Sequence, residues 1–361
     1  MANRPILIMA GGTGGHVYPA LAVADYLHGR GIPLFWLGTR KGIESRVVPG
    51  KGYTLLTIHV SGLRGKGLIK WVFAPLIILV AVVQAMGLLI RIRPAAVLGM
   101  GGFASGPGGL AAWLMRVPLC VHEQNAIAGM TNRLLAPLAC RVMQAFPKTF
   151  TEKYAPHTTG NPVRNGIHAI PGPAERYPEH DSRLLRVLIL GGSQGARALN
   201  EVFPRAMANL PDGIDIDIWH QCGERLLDET TRLYEQTGCK VKLVAFIEDM
   251  AAAYSWADLV ISRSGALTVA EVAAAGVASV LIPFPFAVDD HQTANARYLS
   301  DSGAALLLPE HELDAGVLTE LLADLYRDRK RLIGMAVKAR QLSWPDATHR
   351  VAETCLEVAY A

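Results

Sequence analysis

Charge is scarce in this sequence. Asp, Glu, Lys and Arg make up 18% of its 361 residues, below the roughly 25% usual in soluble domains. With 51% apolar residues, the composition excludes a disordered chain, a collagen-like chain and a coiled coil. Cysteine is sparse too. Cys120, Cys140, Cys222, Cys239 and Cys355 are odd in number, far apart and without any CxxC spacing. That excludes a disulfide framework and a zinc ribbon, and fits a reducing compartment. The opening MANRPILIMAGG holds too short an apolar run for a secretory leader and lacks a small-residue cleavage site. Acidic residues are rare in one half only. Residues 1–164 carry 17 basic and 4 acidic side chains, whereas residues 165–361 carry 18 and 27.

The halves therefore stand at +13 and −9, a shift that predicts a domain boundary. So basic a half predicts an anionic partner: nucleic acid, a membrane surface or a phosphorylated substrate. Residues 71–90, WVFAPLIILVAVVQAMGLLI, sharpen the choice. They run uncharged between Arg64, Lys66 and Lys70 on one side and Arg91 and Arg93 on the other. By length and hydropathy the segment fits a membrane span. Strand-like runs on both sides argue against one, because a single crossing would divide one sheet across the bilayer. The expectation is a helix with one face in the core and the other against lipid, held by the flanking cations.

Strand-like runs alternate with helical patterns along the whole chain. They are PILIMA (5–10), PLFWLG (33–38), AAVLGM (95–100), PLCVHE (118–123) and RVMQAF (141–146), then LRVLIL (185–190), IDIDIWH (214–220), VKLVAF (241–246), DLVIS (258–262), SVLIPF (279–284) and AALLLP (304–309). Near-continuous apolar runs predict parallel strands covered on both faces, and the alternation predicts a doubly wound α/β fold. PILIMAGGTGGH (5–16) and RVLILGGSQGAR (186–197) repeat one pattern of strand, glycine turn and helix. Two Rossmann-like domains facing an interdomain cleft follow, with substrate beyond the carboxyl ends of the strands. Their expected bounds are 1–163 and 164–344, with 345–361 a last helix packing back on the first domain.

GGTGGH (11–16) lets the backbone turn tightly beside a helix N-terminus, where anions are attracted. It is neither G-x-G-x-x-G nor a P-loop, so it reads equally as a ligand loop or as tight packing. His16 closes it; its ordinary pKa of about 6.5 suits a general base, and a backbone-bonded histidine is the bland alternative. GMGGFASGPGG (99–109) and HEQNAIAGMTNR (122–133) are two more polar loops after strands. HEQN starts like a zinc helix, but Ala126 stands where the second histidine belongs. In GGSQGAR (191–197), Ser193, Gln194 and backbone N–H groups suit a pyrophosphate, with Arg197 equally a surface residue. Glu271, the one acid of SRSGALTVAEVAAAG (262–276), suits the two hydroxyls of a ribose, although a solvent-facing glutamate is the plainer reading. Asp289 and Asp290 read as a helix cap. Asp215 and Asp217 spell DxD but fall on one polar face of an alternating strand, which rejects a metal site.

Eight stretches, GGTGGHVYPALAVA, GLRGKG, GMGGFASGPGGLAA, HEQNAIAGMTNR, GNPVR, GGSQGARALN, SRSGALTVAEVAAAG and PFPFAVDDHQTANA, in this order over nearly the whole chain, resemble the MurG family of bacterial glycosyltransferases. The resemblance implies the two-domain GT-B glycosyltransferase fold. It implies inverting transfer of GlcNAc from UDP-GlcNAc to the 4-hydroxyl of the MurNAc-pentapeptide of undecaprenyl-pyrophosphate-linked lipid I, giving lipid II. It places the nucleotide sugar on the C-terminal half and the lipid acceptor on the basic half. It implies no required cofactor, no metal ligand (with room for Mg²⁺ stimulation), no nucleic acid, and a peripheral place on the anionic cytoplasmic membrane surface beside other cell-wall synthesis proteins. The family's donor contacts fall on Thr13, Gly14, Gly15, Asn125, Arg164 and Ser193. They continue at Ile247, where the backbone would meet uracil, at Ala266, Leu267, Thr268, Val269, Ala270 and Glu271, and at Gln292. The family carries more charge across the segment matching 71–90, which implies tighter docking here.

The expected base is His16, with Glu123 second. Charge on the departing UDP is expected on Arg164 and on a helix N-terminus at Gly192–Gly195, after domain closure. Three rivals share the pattern: another UDP-GlcNAc transferase with a different acceptor, a UDP-GlcNAc epimerase, and a non-enzymatic nucleotide-binding module.

Overall fold

The computed structural model describes residues 4–60, 74–164, 166–179, 183–192 and 195–360. Arg64, Lys66 and Lys70 with the stretch GLRGKG, residues 71–73, and Ser193 with Gln194 lie outside the described residues. The chain divides into two units, Met1–Arg164 with Asp346–Ala361, and Asn165–Pro345.

The first unit is built on seven parallel strands: β1 (Ile6–Met9), β2 (Leu34–Gly38), β3 (Thr54–Thr57), β4 (Ala96–Gly99), β5 (Leu119–Glu123), β6 (Arg141–Gln144) and β7 (His157–Thr158). Their order is β3-β2-β1-β4-β5-β6-β7. Ile6 pairs with both Leu34 and Ala96, which makes β1 an interior strand. Its four apolar residues are buried because helices cover both faces, as the continuous run predicts. The sequence pattern misses β3 and β7. Both are edge strands, one half-buried and one only two residues long, so neither carries an apolar run.

The second unit repeats the plan with β8 (Leu185–Leu190), β9 (Ile216–Gln221), β10 (Lys242–Val244), β11 (Leu259–Ser262), β12 (Ala278–Leu281) and β13 (Ala305–Leu307). The order is β10-β9-β8-β11-β12-β13. In both sheets the order reverses beside the first strand, between β1 and β4 and between β8 and β11. That reversal is the switch point where α/β sheets bind ligands at their carboxyl edge.

The last helix, Ala347–Ala359, belongs to the first unit. Val351, Ala352 and Cys355 are buried in the core with Val17, Leu21 and Leu27 of the helix Gly14–Gly29. Arg30 pairs with Glu353 at 2.6 Å, and Tyr26 donates to the same carboxylate at 3.1 Å. That exposed ion pair adds little; the buried side chains, at roughly 1.5–3 kcal/mol for each large one, do the holding.

Helix Ala74–Ile92 carries the sequence from β3 to β4. Ala81, Val82, Ala85 and Leu89 pack into the core over the sheet. Leu76, Leu79, Val83 and Ile90 are 57–61% exposed. Among the described residues it is the one helix long and apolar enough to cross a membrane, yet one of its faces is committed to the core.

Candidate functional site

At the first switch point, β1 runs into Gly11 and Gly12, and Thr13 stands at the N-cap of the helix Gly14–Gly29. Gly12 sits at φ +87°, a conformation that favours glycine. Its N–H donates to Glu44 Oε2 at 2.9 Å. The other oxygen of Glu44 accepts the backbone N–H and the hydroxyl of Thr39, at 2.9 and 2.7 Å. Glu44 is fully buried, so this carboxylate ties the glycine loop to the end of β2. Nothing adjacent in sequence announces it. Thr13, Gly14 and Gly15 stay partly or fully exposed, and the first helical turn has no intrahelical acceptor for its N–H groups.

His16 Nδ1 lies 3.2 Å from the Gly11 carbonyl oxygen. A carbonyl only accepts, so Nδ1 carries a proton, and in the neutral ring Nε2 is the acceptor. The ring lies on the backbone after β4: a Cβ built on Gly101 would stand 3.0 Å from Nε2. At Gly102 a Cβ would come within 2.4 Å of the Gly11 carbonyl oxygen. The two glycine loops therefore pack backbone to backbone. Ser105 secures the second, with its hydroxyl 2.9 Å from the Met9 carbonyl and 2.7 Å from that of Gly101.

Glu123, the second candidate base, is placed otherwise. It is buried, and Oε1 accepts the N–H and the side-chain amide of Asn125, both at 3.0 Å. Oε2 accepts from Gly129 N–H at 3.0 Å and from Asn132 at 2.9 Å. Its four donors commit this carboxylate to holding the loop. It sets Asn125 in place. Arg164 lies over the Tyr18 ring at 4.7 Å, and that ring in turn abuts Gly14. One stacked group thus joins the end of the first unit to its glycine loop.

At the second switch point, β8 runs into Gly191 and Gly192. Gly192 has φ +75°, and its N–H donates to Gln221 Oε1 at 3.0 Å. The expected helix N-terminus at Gly192–Gly195 shifts: the helix is Arg197–Ala208, capped at Ala196. With the Gly192 N–H already engaged, the donors on offer to an anion among the described residues are those of the first turn from Arg197. Arg197 itself is a surface residue paired with Glu229 at 3.2 Å, and Ser193 lies outside the described residues.

The other residues expected at the donor site of this unit fall on neighbouring loops of the same edge. Ile247 is buried in the turn between β10 and the helix Met250–Trp256. Ala266 to Glu271 form the first turns of the helix Ala266–Ala275 after β11. Glu271 is 2% exposed, and Tyr254 donates to its Oε2 at 3.1 Å. A solvent-facing glutamate is thereby excluded. Gln292 links two loops: Oε1 accepts Phe284 N–H at 2.9 Å and its carbonyl accepts the Ser264 hydroxyl at 2.8 Å. Asp289 and Asp290 both adopt left-handed backbone, φ +52° and +51°. Asp290 accepts the Thr293 hydroxyl at 2.6 Å and no backbone N–H, so the helix cap read from sequence is not formed by its side chain.

Two buried histidines brace these edges from below. His122 Nε2 donates to the Gly160 carbonyl at 3.1 Å while Nδ1 accepts from Gln124. Burial pushes its pKa down to about 4. His220 Nε2 donates to Asn200 Oδ1 at 3.0 Å, and Nδ1 accepts the Tyr234 hydroxyl at 2.8 Å. Burial pushes it down to about 3. Asp215 and Asp217 are exposed. Among the described residues no group of three or more His, Cys, Asp or Glu side chains is placed to hold a metal.

Comparison with known proteins adds independent findings. The model of the glycosyltransferase family 28 N-terminal domain matches residues 6–144, and that of the family 28 C-terminal domain matches residues 186–351. The chain is 54% identical over 359 residues to the UDP-N-acetylglucosamine--N-acetylmuramyl-(pentapeptide) pyrophosphoryl-undecaprenol N-acetylglucosamine transferase of Nitrosococcus oceani, covering 99% of each chain. It is 55% identical over 358 residues to the protein of that name from Alkalilimnicola ehrlichii, again covering 99% of each. Among solved structures, Acinetobacter baumannii MurG superposes with a TM-score of 0.83 at 42% identity, over 98% of this chain and 99% of that one. A UDP-GlcNAc 2-epimerase from Neisseria meningitidis shares the fold alone, with a TM-score of 0.67 at 12% identity over 98% of this chain and all of that one.

Proposed function

The chain belongs to glycosyltransferase family 28, and from that premise we propose that it transfers GlcNAc from UDP-GlcNAc to undecaprenyl-pyrophosphate-linked MurNAc-pentapeptide in peptidoglycan synthesis, releasing UDP. The observation that carries the catalytic part is His16. Its Nδ1 proton is engaged by the Gly11 carbonyl, so Nε2 is the acceptor at the mouth of the first glycine loop. The acceptor's 4-hydroxyl attacks the anomeric carbon on the face opposite UDP, and its proton passes to Nε2 as the bond to the diphosphate oxygen breaks. Attack from that face inverts the anomeric centre.

Charge arriving on UDP falls to the helix N-terminus at Arg197 and to Arg164. Glu271 takes the ribose hydroxyls, the Ile247 backbone the uracil, and Gln292 with Ala266–Ala270 the sugar side of the donor. Thr13, Gly14, Gly15, Asn125 and Ser193 complete the donor contacts. No metal is needed for turnover in this reading, and Mg²⁺ acts at most as a stimulant. Chelation with EDTA should leave turnover standing.

The acceptor is anchored in a bilayer, and the exposed face of the helix Ala74–Ile92 suits docking there. Leu76, Leu79, Val83 and Ile90, each somewhat more than half exposed, gain roughly 1–2 kcal/mol each on full burial, with Arg91 and Arg93 exposed at one end for anionic headgroups. Protein without detergent should float with anionic vesicles at low salt; failure to do so with both anionic and neutral vesicles ends the docking proposal. The reaction is tested by transfer of labelled GlcNAc to a lipid I analogue beside a control without acceptor. Acceptor-dependent product is expected. UDP release without acceptor would instead assign an epimerase.

A further inference from the structure

Gln221 ends β9 and is 5% exposed. Three side-chain hydrogen bonds fix it. Oε1 accepts Gly192 N–H at 3.0 Å, and Nε2 donates to the carbonyls of Gly192 at 3.0 Å and Ala245 at 2.9 Å. Its main chain adds a fourth, the Gly191 N–H donating to its carbonyl at 2.9 Å. One residue therefore holds both peptide groups of Gly192 on one side and, on the other, the backbone two residues ahead of Ile247. The chemistry permits one amide orientation only. A flip would set N–H against N–H and carbonyl against carbonyl.

We propose that Gln221 is a positioning residue for the nucleotide sugar, fixing the spacing between the glycine loop that receives the diphosphate and the loop that receives the uracil. The proposal rests on the reading that these two loops bind UDP. A ligand touching both ends of that spacing gains from a bracket that sets it, whereas a ligand touching one end gains little. A glutamine does this without charge. A carboxylate at the same place would face two carbonyl oxygens and add negative charge to the loop proposed to receive the diphosphate.

The test is calorimetric binding of UDP and of uridine to full-length Gln221→Met and Gln221→Glu, with thermal melting of each and Glu271→Ala as reference. Gln221→Met is expected to weaken UDP about tenfold and uridine by less than about threefold, so that the UDP-to-uridine preference shrinks. Gln221→Glu should bind UDP worst near pH 8 and recover towards about pH 5, where a protonated carboxyl donates again. The donor KM should rise in both variants while the acceptor KM holds.

Folded variants with unchanged UDP affinity, or with equal losses for UDP and uridine, overturn the proposal. So does failure of both to fold, which would assign Gln221 to the architecture. If Glu271→Ala also binds UDP normally, the donor-site reading itself fails; if Glu271→Ala is weak and Gln221→Met is not, the bracket alone fails.

Discussion

The two glycine loops solve one problem with different side chains. Gly12 and Gly192 each follow the first strand of their sheet, an interior one, each adopts positive φ, and each gives its N–H to a buried side-chain oxygen at or shortly after the end of the next strand in sequence. In the first unit that oxygen belongs to a carboxylate, Glu44; in the second, to an amide, Gln221. The Glu44 carboxylate meets three donors and no carbonyl, which suits a charged acceptor. Gln221 must donate to two carbonyls as well, which a carboxylate cannot do. The loops then diverge in use. The first continues into His16, a group that can move a proton. The second continues into a helix N-terminus, which can only hold an anion. In the proposed reading, one backbone device supports the proton transfer on the first unit, beside the donor contacts at Thr13, Gly14 and Gly15, and diphosphate binding on the second.

Kinetics can break that division. His16→Ala should lower kcat by about a hundredfold to ten-thousandfold with UDP affinity within a few-fold of wild type; a large loss of UDP affinity with kcat preserved would instead make His16 a binding residue. Gly101→Ala should cost about tenfold to a hundredfold in kcat. The added methyl stands 3.0 Å from His16 Nε2 at a backbone φ of +93°, so it displaces the base while touching no proposed donor contact. On the other unit, Glu271→Ala should raise the Kd for UDP roughly tenfold or more, the scale of a lost hydrogen bond to a charged group, and leave kcat at saturating donor nearly intact. If kcat falls as far as with His16→Ala, the units are not divided in this way.

The sequence exposes each loop because glycine clusters after apolar runs are local signals. The brackets are not local. Glu44 lies 32 residues from Gly12 and Gln221 lies 29 from Gly192, distances set by the length of the intervening helix and strand. Most strands were legible from their apolar runs, the edge strands β10 and β13 included; β3, only partly buried, and β7, two residues long, were not. Glu271 shows the limit at a single residue. On a helix of small side chains it looks solvent-facing, and its burial depends on Tyr254, seventeen residues earlier in sequence. Glu123 shows the same limit in a polar loop: its sequence position marks a candidate carboxylate, but its four donors are visible only in the fold.

The smallest expected effect compares the two buried histidines. Both are neutral in the fold, near 4 for His122 and near 3 for His220, whereas the unfolded chain takes up a proton near 6.5. Above that pH neither costs stability. As pH falls the unfolded state gains protons that the native state refuses, so each half loses stability. At about pH 5.5 the loss is about 1 kcal/mol per histidine. It levels off near pH 4 around His122 and continues to near pH 3 around His220. Hydrogen exchange of β5 and β9 amides across this range reads the two halves separately. The expected result is parallel loss of protection at first, then a lag in which only β9 goes on weakening. A β5 that weakens alone below pH 4 would reverse the order of the two sites and place the better-shielded histidine in the first unit.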